Sequence, residues 1–282
     1  MSKRRTAWHF LFGIHLRRHG SPDFEIHDEV SLSDEPLRMD FMVLRRTRAK
    51  EPSVSPRTTL RRLWQRLSLV TVVELKSIGR PYRTDDLDRL WSYVHLCRID
   101  EKNRPPRRSD LRAVLIVPAR TPALLADVDE MGLRWKNLGG GYWRLRGGLF
   151  SLYVVEIDVV CEQEDDDHLR AFAHQPQRTS EGRQFWARLV GSQEVGMELQ
   201  EMEDYDEVIQ KLLNSLTPEQ RLAGLAPEQR LAGLAPEQRL AGLAPEQIVA
   251  ALPDAVLQAL PDDYLATLPE PVRSAVRKRL GR

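Results

Sequence analysis

The run LVTVVELKSI, from Leu69 to Ile78, constrains the fold more than any other stretch of the chain. Its β-branched residues predict a strand, and its apolar residues fall on both faces. Such a strand belongs inside a sheet that is covered on two sides. Glu74 and Lys76 interrupt it two residues apart, so both side chains point the same way. A carboxylate and an ammonium buried in a strand are costly unless they pair or serve chemistry.

The segments around this strand predict an α/β core with a mixed sheet. A helix is expected from Ala7 to Arg18. Phe24 to Leu32 and Leu37 to Leu44 alternate as strands around the turn Asp34-Glu35-Pro36, which makes a hairpin. A basic loop and a short helix, Thr59 to Leu67, precede the central strand. Thr84-Asp85-Asp86 then predicts the cap of a helix running to about Cys97, with Leu87, Leu90, Trp91 and Val94 as its apolar stripe. Ala113 to Val117 is a further strand, and Thr121 to Met131 a helix with Pro at its first position. Leu133 to Trp135, Tyr142 to Leu145 and Leu149 to Val160 complete the strands, and helices are expected from about Ser180 to Leu216.

The overall charge of +1 hides an asymmetry. Residues 1–120 hold 25 Lys+Arg against 15 Asp+Glu, a balance of +10, and the rest hold 17 against 26, a balance of −9. A basic first half suits a polyanionic partner. Its densest part holds Arg45, Arg46, Arg48, Lys50, Arg57, Arg61, Arg62 and Arg66 against Glu51. Cys97 and Cys161 sit in no metal-ligand or disulfide pattern, so they are expected as buried thiols. The N-terminal run is broken by His9 and His15 and closed by Arg17-Arg18, so it is expected as an ordinary helix. No stretch approaches the ~18 apolar residues of a membrane span. The expected location is cytoplasmic, with no membrane partner.

Phosphodiester hydrolysis needs a divalent cation to neutralise charge and activate water. Mg²⁺ prefers one or two protein carboxylates, with water and phosphate completing the shell. Asp40 lies in the middle of the second hairpin strand. Pairing that strand with the central one brings Asp40 beside Glu74, with Lys76 one strand step away. Such a lysine suits orienting the water or stabilising the phosphate as charge builds.

An acid followed later by Glu-X-Lys on an apolar strand, preceded by a helix and followed by the helix from Asp85 to Cys97, resembles the PD-(D/E)XK nuclease superfamily. The stretch SIGRPYRTDDLDRLWSYVHL and the PEQRLAGL repeats look, more narrowly, like its recombination-promoting nuclease and transposase-like branch. The resemblance covers residues 7–175 and the tail. It implies a restriction-endonuclease-like mixed central sheet flanked by helices. It also implies Mg²⁺, or Mn²⁺ in its place, held by Asp40, Glu74 and the Leu75 carbonyl, with Lys76 as the catalytic lysine. Met39 stands where the superfamily pattern has Pro, and the gap from Asp40 to Glu74 is long. The first helix lacks the acid that some relatives carry there; Glu25 or Glu29 are the substitutes at hand, and one-metal chemistry is the expectation.

The expected organisation is a nuclease-like domain over 1–175, a helical linker over 176–215 and an all-α region of short repeats over 216–282. Those repeats begin LTPEQRLAG and keep Pro218, Pro227, Pro236 and Pro245 nine residues apart, then Pro253, Pro261 and Pro269 eight apart. Helices of one or two turns need to stack on each other or on a partner, or else stay disordered, and a stacked array is the leading expectation. The leading expectation is a Mg²⁺-dependent DNA endonuclease linked to recombination or mobile elements. Asp40, Glu74 and Lys76 form its site, and Arg45, Arg46, Arg48, Arg61, Arg62, Arg83 and Arg89 contact nucleic acid. The alternatives are a catalytically weak scaffold that binds a protein, or a second copy, through 216–282, and a DNA-binding recombination accessory that does not cut. Glu156 and Asp158, expected two apart on one strand, read as structural. His9, His15, His27, His95 and His168 read as core or surface residues, and Trp135, Tyr142 and Trp143 as packing.

Overall fold

The alternating and β-branched segments assemble into one seven-stranded sheet of order β1-β2-β3-β4-β7-β6-β5. Its strands are β1 (Phe24–Ser31), β2 (Arg38–Arg45), β3 (Val70–Leu75), β4 (Leu111–Val117), β5 (Arg134–Gly139), β6 (Tyr142–Arg146) and β7 (Ser151–Glu156). β1, β2 and β3 run antiparallel, β3, β4 and β7 parallel, and β7, β6 and β5 antiparallel. The sheet is therefore mixed and open, and the protein is α/β. This computed structural model describes residues 6–31, 38–46, 51–100, 105–217, 221, 247, 252–259, 261–267 and 269–281. The expected Asp34-Glu35-Pro36 turn, Arg48 and most of the nine-residue repeats lie outside the described residues.

The two faces of β3 explain why its sequence is apolar throughout. Val73 and Leu75 join a core with α1 (Ala7–His19), α2 (Arg61–Trp64) and α5 (Ile157–Glu164). Val70 and Val72 join the core on the other face, under α3 (Asp86–Ile99) and α4 (Pro122–Glu130). Each fully buried Val or Leu stabilises the fold by about 1.5–3 kcal/mol, so both faces bind the strand strongly. By alternation, Glu74 points toward the α3 side.

One expected strand is corrected. Leu149 to Val160 does not continue as a strand: β7 ends at Glu156, and Ile157 begins α5. Ile157, Val160, Cys161 and Glu164 are the buried positions, spaced three, four and seven residues on, which is a helical period. Glu156 and Asp158 therefore do not share a strand face. Glu156 pairs with Arg120 at 2.9 Å and Asp158 with His174 at 2.7 Å. Gly139, Gly140 and Gly141 all have positive φ at the β5–β6 turn, where a Cβ on Gly141 would stand 2.9 Å from the Glu156 carbonyl oxygen.

The chain divides into compact units 1–217 and 218–282. In the first, α6 (Ser180–Val190), α7 (Gln193–Gln200) and α8 (Tyr205–Ser215) share the core of α1: Trp186, Leu189, Leu199 and Val208 are buried in it. The stretch expected as a linker thus forms part of the packed unit. In the second unit, α9 (Asp254–Gln258), α10 (Asp262–Thr267) and α11 (Glu270–Leu280) are short helices. Leu257, Val272 and Val276 form a small core of their own there. Among the described residues no helix is long and apolar enough to cross a membrane.

Candidate active site

The register Phe41↔Val73 between β2 and β3 sets Asp40 opposite Glu74. The Asp40 carboxylate accepts the Leu75 backbone N–H through Oδ2 at 2.9 Å. The Asp40 carboxylate thus ties β2 to β3 at the residue after Glu74. β3 ends at Leu75, but Lys76 still donates its backbone N–H to the Ile116 carbonyl at 2.8 Å, which keeps the lysine on the sheet.

Lys76 is buried between two carboxylates. Its Nζ lies 2.9 Å from Glu74 Oε1 and 2.9 Å from Asp86 Oδ1. Glu74 is 2% exposed, Asp86 6% and Lys76 7%, so these charges act across little water. Burial pushes the ammonium pKa down, but Glu74 and Asp86 outweigh it and hold Lys76 above the ordinary lysine value. The lysine is therefore a cation at any physiological pH.

Asp86 is in place because α3 starts there. Asp85 adopts the left-handed conformation with φ 71°, and the Asp86 carboxylate accepts the Arg83 backbone N–H at 2.9 Å. Arg89 donates to the other Asp86 oxygen from one turn on, at 3.2 Å. Tyr82 locks the corner: its hydroxyl donates to Asp127 Oδ2 at 2.6 Å and accepts the Leu87 N–H at 3.0 Å. Tyr93 is buried from the next turns of α3, where burial and then the charges of Glu74 and Asp40 raise its pKa.

His9 is the residue that spacing did not reveal. Its Nε2 lies 2.9 Å from Asp40 Oδ2 and 3.1 Å from the Leu75 carbonyl oxygen. Its Nδ1 meets the hydroxyl of Thr6, which also caps α1 by accepting the His9 N–H. Burial lowers the imidazole pKa, but Asp40, Glu74 and the Leu75 carbonyl raise it further, to a net value above the ordinary 6.5. The local signal is a Thr cap that places His on the first turn of the helix. Its partners are remote in sequence, so only the fold names them.

A cavity of about 360 Å³ collects His9, Glu74, Leu75, Lys76, Arg80, Pro81, Arg83, Asp86 and Arg89. Arg83 and Arg89 are thus brought to the acids. Arg45, Arg46, Arg61 and Arg62 do not line it. Arg45 lies over the Phe24 ring at 6.0 Å, and Arg46 is exposed. Arg61 donates to the Glu164 carbonyl at 2.6 Å, and Arg62 lies against the Gly139–Gly141 turn. Glu25 is on the edge strand, 3.1 Å from His27, and does not line the cavity.

No family model, curated protein or solved structure matches this chain. The chemistry therefore rests on the residues themselves. Among the described residues no group of three or more His, Cys, Asp or Glu side chains is arranged to hold a metal by itself. The oxygen donors that converge are the Asp40 carboxylate and the Leu75 carbonyl, each within 3.1 Å of the His9 ring, with the Glu74 carboxylate on the adjoining position of β3. Such a set fits a hard cation that takes few protein ligands and completes its shell with water and phosphate.

Proposed function

We propose that the protein is a Mg²⁺-dependent nuclease with a restriction-endonuclease-like core, acting on DNA. One observation carries the reading: Glu74, Leu75 and Lys76 line one cavity at the end of β3 with Arg83 and Arg89, and Asp40 on the neighbouring strand accepts the Leu75 N–H beside them. The antiparallel β1-β2-β3 hairpin region joined to parallel β3-β4-β7 supports the fold assignment.

Asp40, Glu74 and the Leu75 carbonyl would hold the ion, Mn²⁺ serving in place of Mg²⁺, and its chemistry is to neutralise charge and activate a water. His9 fixes the rotamer of Asp40 and faces the Leu75 carbonyl, so it sets the direction of two donors. Lys76 carries a permanent positive charge beside Glu74, where it stabilises the negative charge that builds on the phosphate. Arg83 and Arg89 supply further cations for the neighbouring phosphates. The cation-rich first half of the chain favours a polyanionic substrate.

A second reading has its own observation. Lys76 is already paired with both Glu74 and Asp86, and the same network would serve a nuclease-like scaffold that binds partners without cutting.

The deciding test is cleavage of supercoiled plasmid, single-stranded DNA and RNA in Mg²⁺, in Mn²⁺ and in EDTA, with wild type against Glu74→Ala. Metal-dependent cutting that the variant loses is expected, and the substrate cut names the class. Folded protein that cuts nothing in either metal would transfer the argument to the scaffold.

A further inference from the structure

We propose that Arg80 is a phosphate-binding residue of the cavity and that Glu203 and Asp204, from the corner before α8, position it; this rests on the nuclease reading. Arg80 lines the cavity with Glu74 and Lys76. Its Nη2 donates to Glu203 Oε2 at 2.6 Å, and its Nε lies 3.0 Å from Asp204 Oδ2. The backbone N–H of Arg80 donates to Ser77 Oγ at 3.1 Å, which ties the arginine to the turn directly after Lys76. Among the described residues the two ion pairs engage Nη2 and Nε, which leaves the Nη1 side of the planar fork for a phosphate oxygen.

A second arginine in this chain shows what a purely structural version looks like. Arg170 is also held by two acids, Glu162 at 2.6 Å and Asp167 at 3.5 Å, and its side chain is 1% exposed. Arg80 has the same two-acid grip, yet its side chain is 36% exposed and opens onto the cavity. A guanidinium oriented by acids on one side and open on the other is prepared for an anion.

The corner that grips Arg80 also fixes His9. The Glu203 carbonyl accepts the Ala7 N–H at 2.9 Å, and Thr6 bridges to Glu203 in parallel. Thr6 in turn caps α1 and holds His9 Nδ1. The Glu207 carboxylate fills the space beside Gly79, where a Cβ would stand 1.7 Å from its Oε2. One turn of chain thus sets both the arginine and the start of the helix that carries the histidine.

The test measures binding of a fluorescent duplex DNA, and of the single strand of the same sequence, to the full chain. Ca²⁺ replaces Mg²⁺ and KCl is varied. Arg80→Ala should weaken binding roughly ten-fold and reduce the salt slope by about one. Arg80→Lys should keep the slope and lose part of the affinity. Glu203→Gln should weaken binding roughly three-fold with the slope intact, because the charge stays but its orientation loosens. In cleavage, Arg80→Ala should raise KM more than it lowers kcat. Wild-type affinity and slope in Arg80→Ala would overturn the proposal while leaving the nuclease reading intact. A wild type that binds but never cuts would overturn the nuclease reading while leaving Arg80 to be judged on its slope. A wild type that binds neither probe overturns both. Should Arg80→Ala fail to fold, Arg80→Lys and Glu203→Gln carry the same comparison.

Discussion

His9 Nε2 and Asp40 Oδ2 stand 2.9 Å apart, joining the first helix to the second strand at the point where β2 meets β3. Removing the imidazole takes away one of the contacts that orient Asp40, the Leu75 N–H being another. On the nuclease reading, His9→Ala lowers Mn²⁺ affinity, measured by titration calorimetry, roughly ten- to hundred-fold. Cleavage falls with it. Unchanged affinity would place His9 outside the metal's surroundings.

Asp86→Asn removes one of the two carboxylates that hold Lys76 cationic. Folded Lys76 has a raised pKa, so its pairing adds stability below the unfolded pKa and loses it as pH rises through the folded value. With Asp86 neutral, burial gains weight and the lysine pKa falls. The alkaline limb of the cleavage profile then moves to lower pH, and urea denaturation shows a loss of about 1–3 kcal/mol. A limb that stays in place would show that Lys76 does not control it.

Tyr82→Phe keeps the ring and deletes the hydroxyl. The buried Asp127 loses its donor at 2.6 Å, and the Leu87 N–H loses its acceptor. Stability should fall by about 2 kcal/mol in urea, while Mn²⁺ affinity stays at the wild-type value. A loss of metal affinity as large as that of His9→Ala would mean that the start of α3 shapes the metal donors directly.

His15 sets an acid limit on the fold. Burial, with smaller contributions from the neighbouring His19 and His168, lowers its pKa from 6.5 to about 3 against the opposing pull of Asp166. The unfolded chain takes up this proton near pH 6.5, and the folded one only near pH 3. Stability is therefore full above pH 6.5 and falls as pH drops toward 3, by up to about 1.4 kcal/mol per pH unit. His15→Gln should flatten that dependence when thermal melts are compared across the range. An equally steep dependence in the variant would assign the acid sensitivity to other groups.

Sheet and helices were legible where one periodicity dominated. Val70–Leu75 is apolar on both faces because both faces are covered, and Asp40 and Glu74 come together because the buried faces of β2 and β3 hold the register Phe41↔Val73. The run from Ile157 was misread because Val159 and Val160 are β-branched while the buried positions follow a helical period. The basic loop drew attention to Arg45, Arg61 and Arg62 through charge density alone. Charge density does not say where a side chain lies, and Arg61 is engaged with Glu164, away from the acids. His9 and Arg80 escaped for a common reason. Each gains its place from a partner distant in sequence, and no local pattern encodes such a meeting.

The bridge between Thr6 and Glu203 gives the protein an order of completion. A ribosome delivers α1 first, then Asp40, Glu74 and Lys76 in turn, yet the clasp that seats the start of α1 arrives only with the corner before α8. A nascent chain halted short of that corner holds the acids and the lysine without the carbonyl that anchors Ala7 or the carboxylates that aim Arg80. The corner that seats Ala7 and grips Arg80 is thus among the last parts of the 1–217 unit to be made.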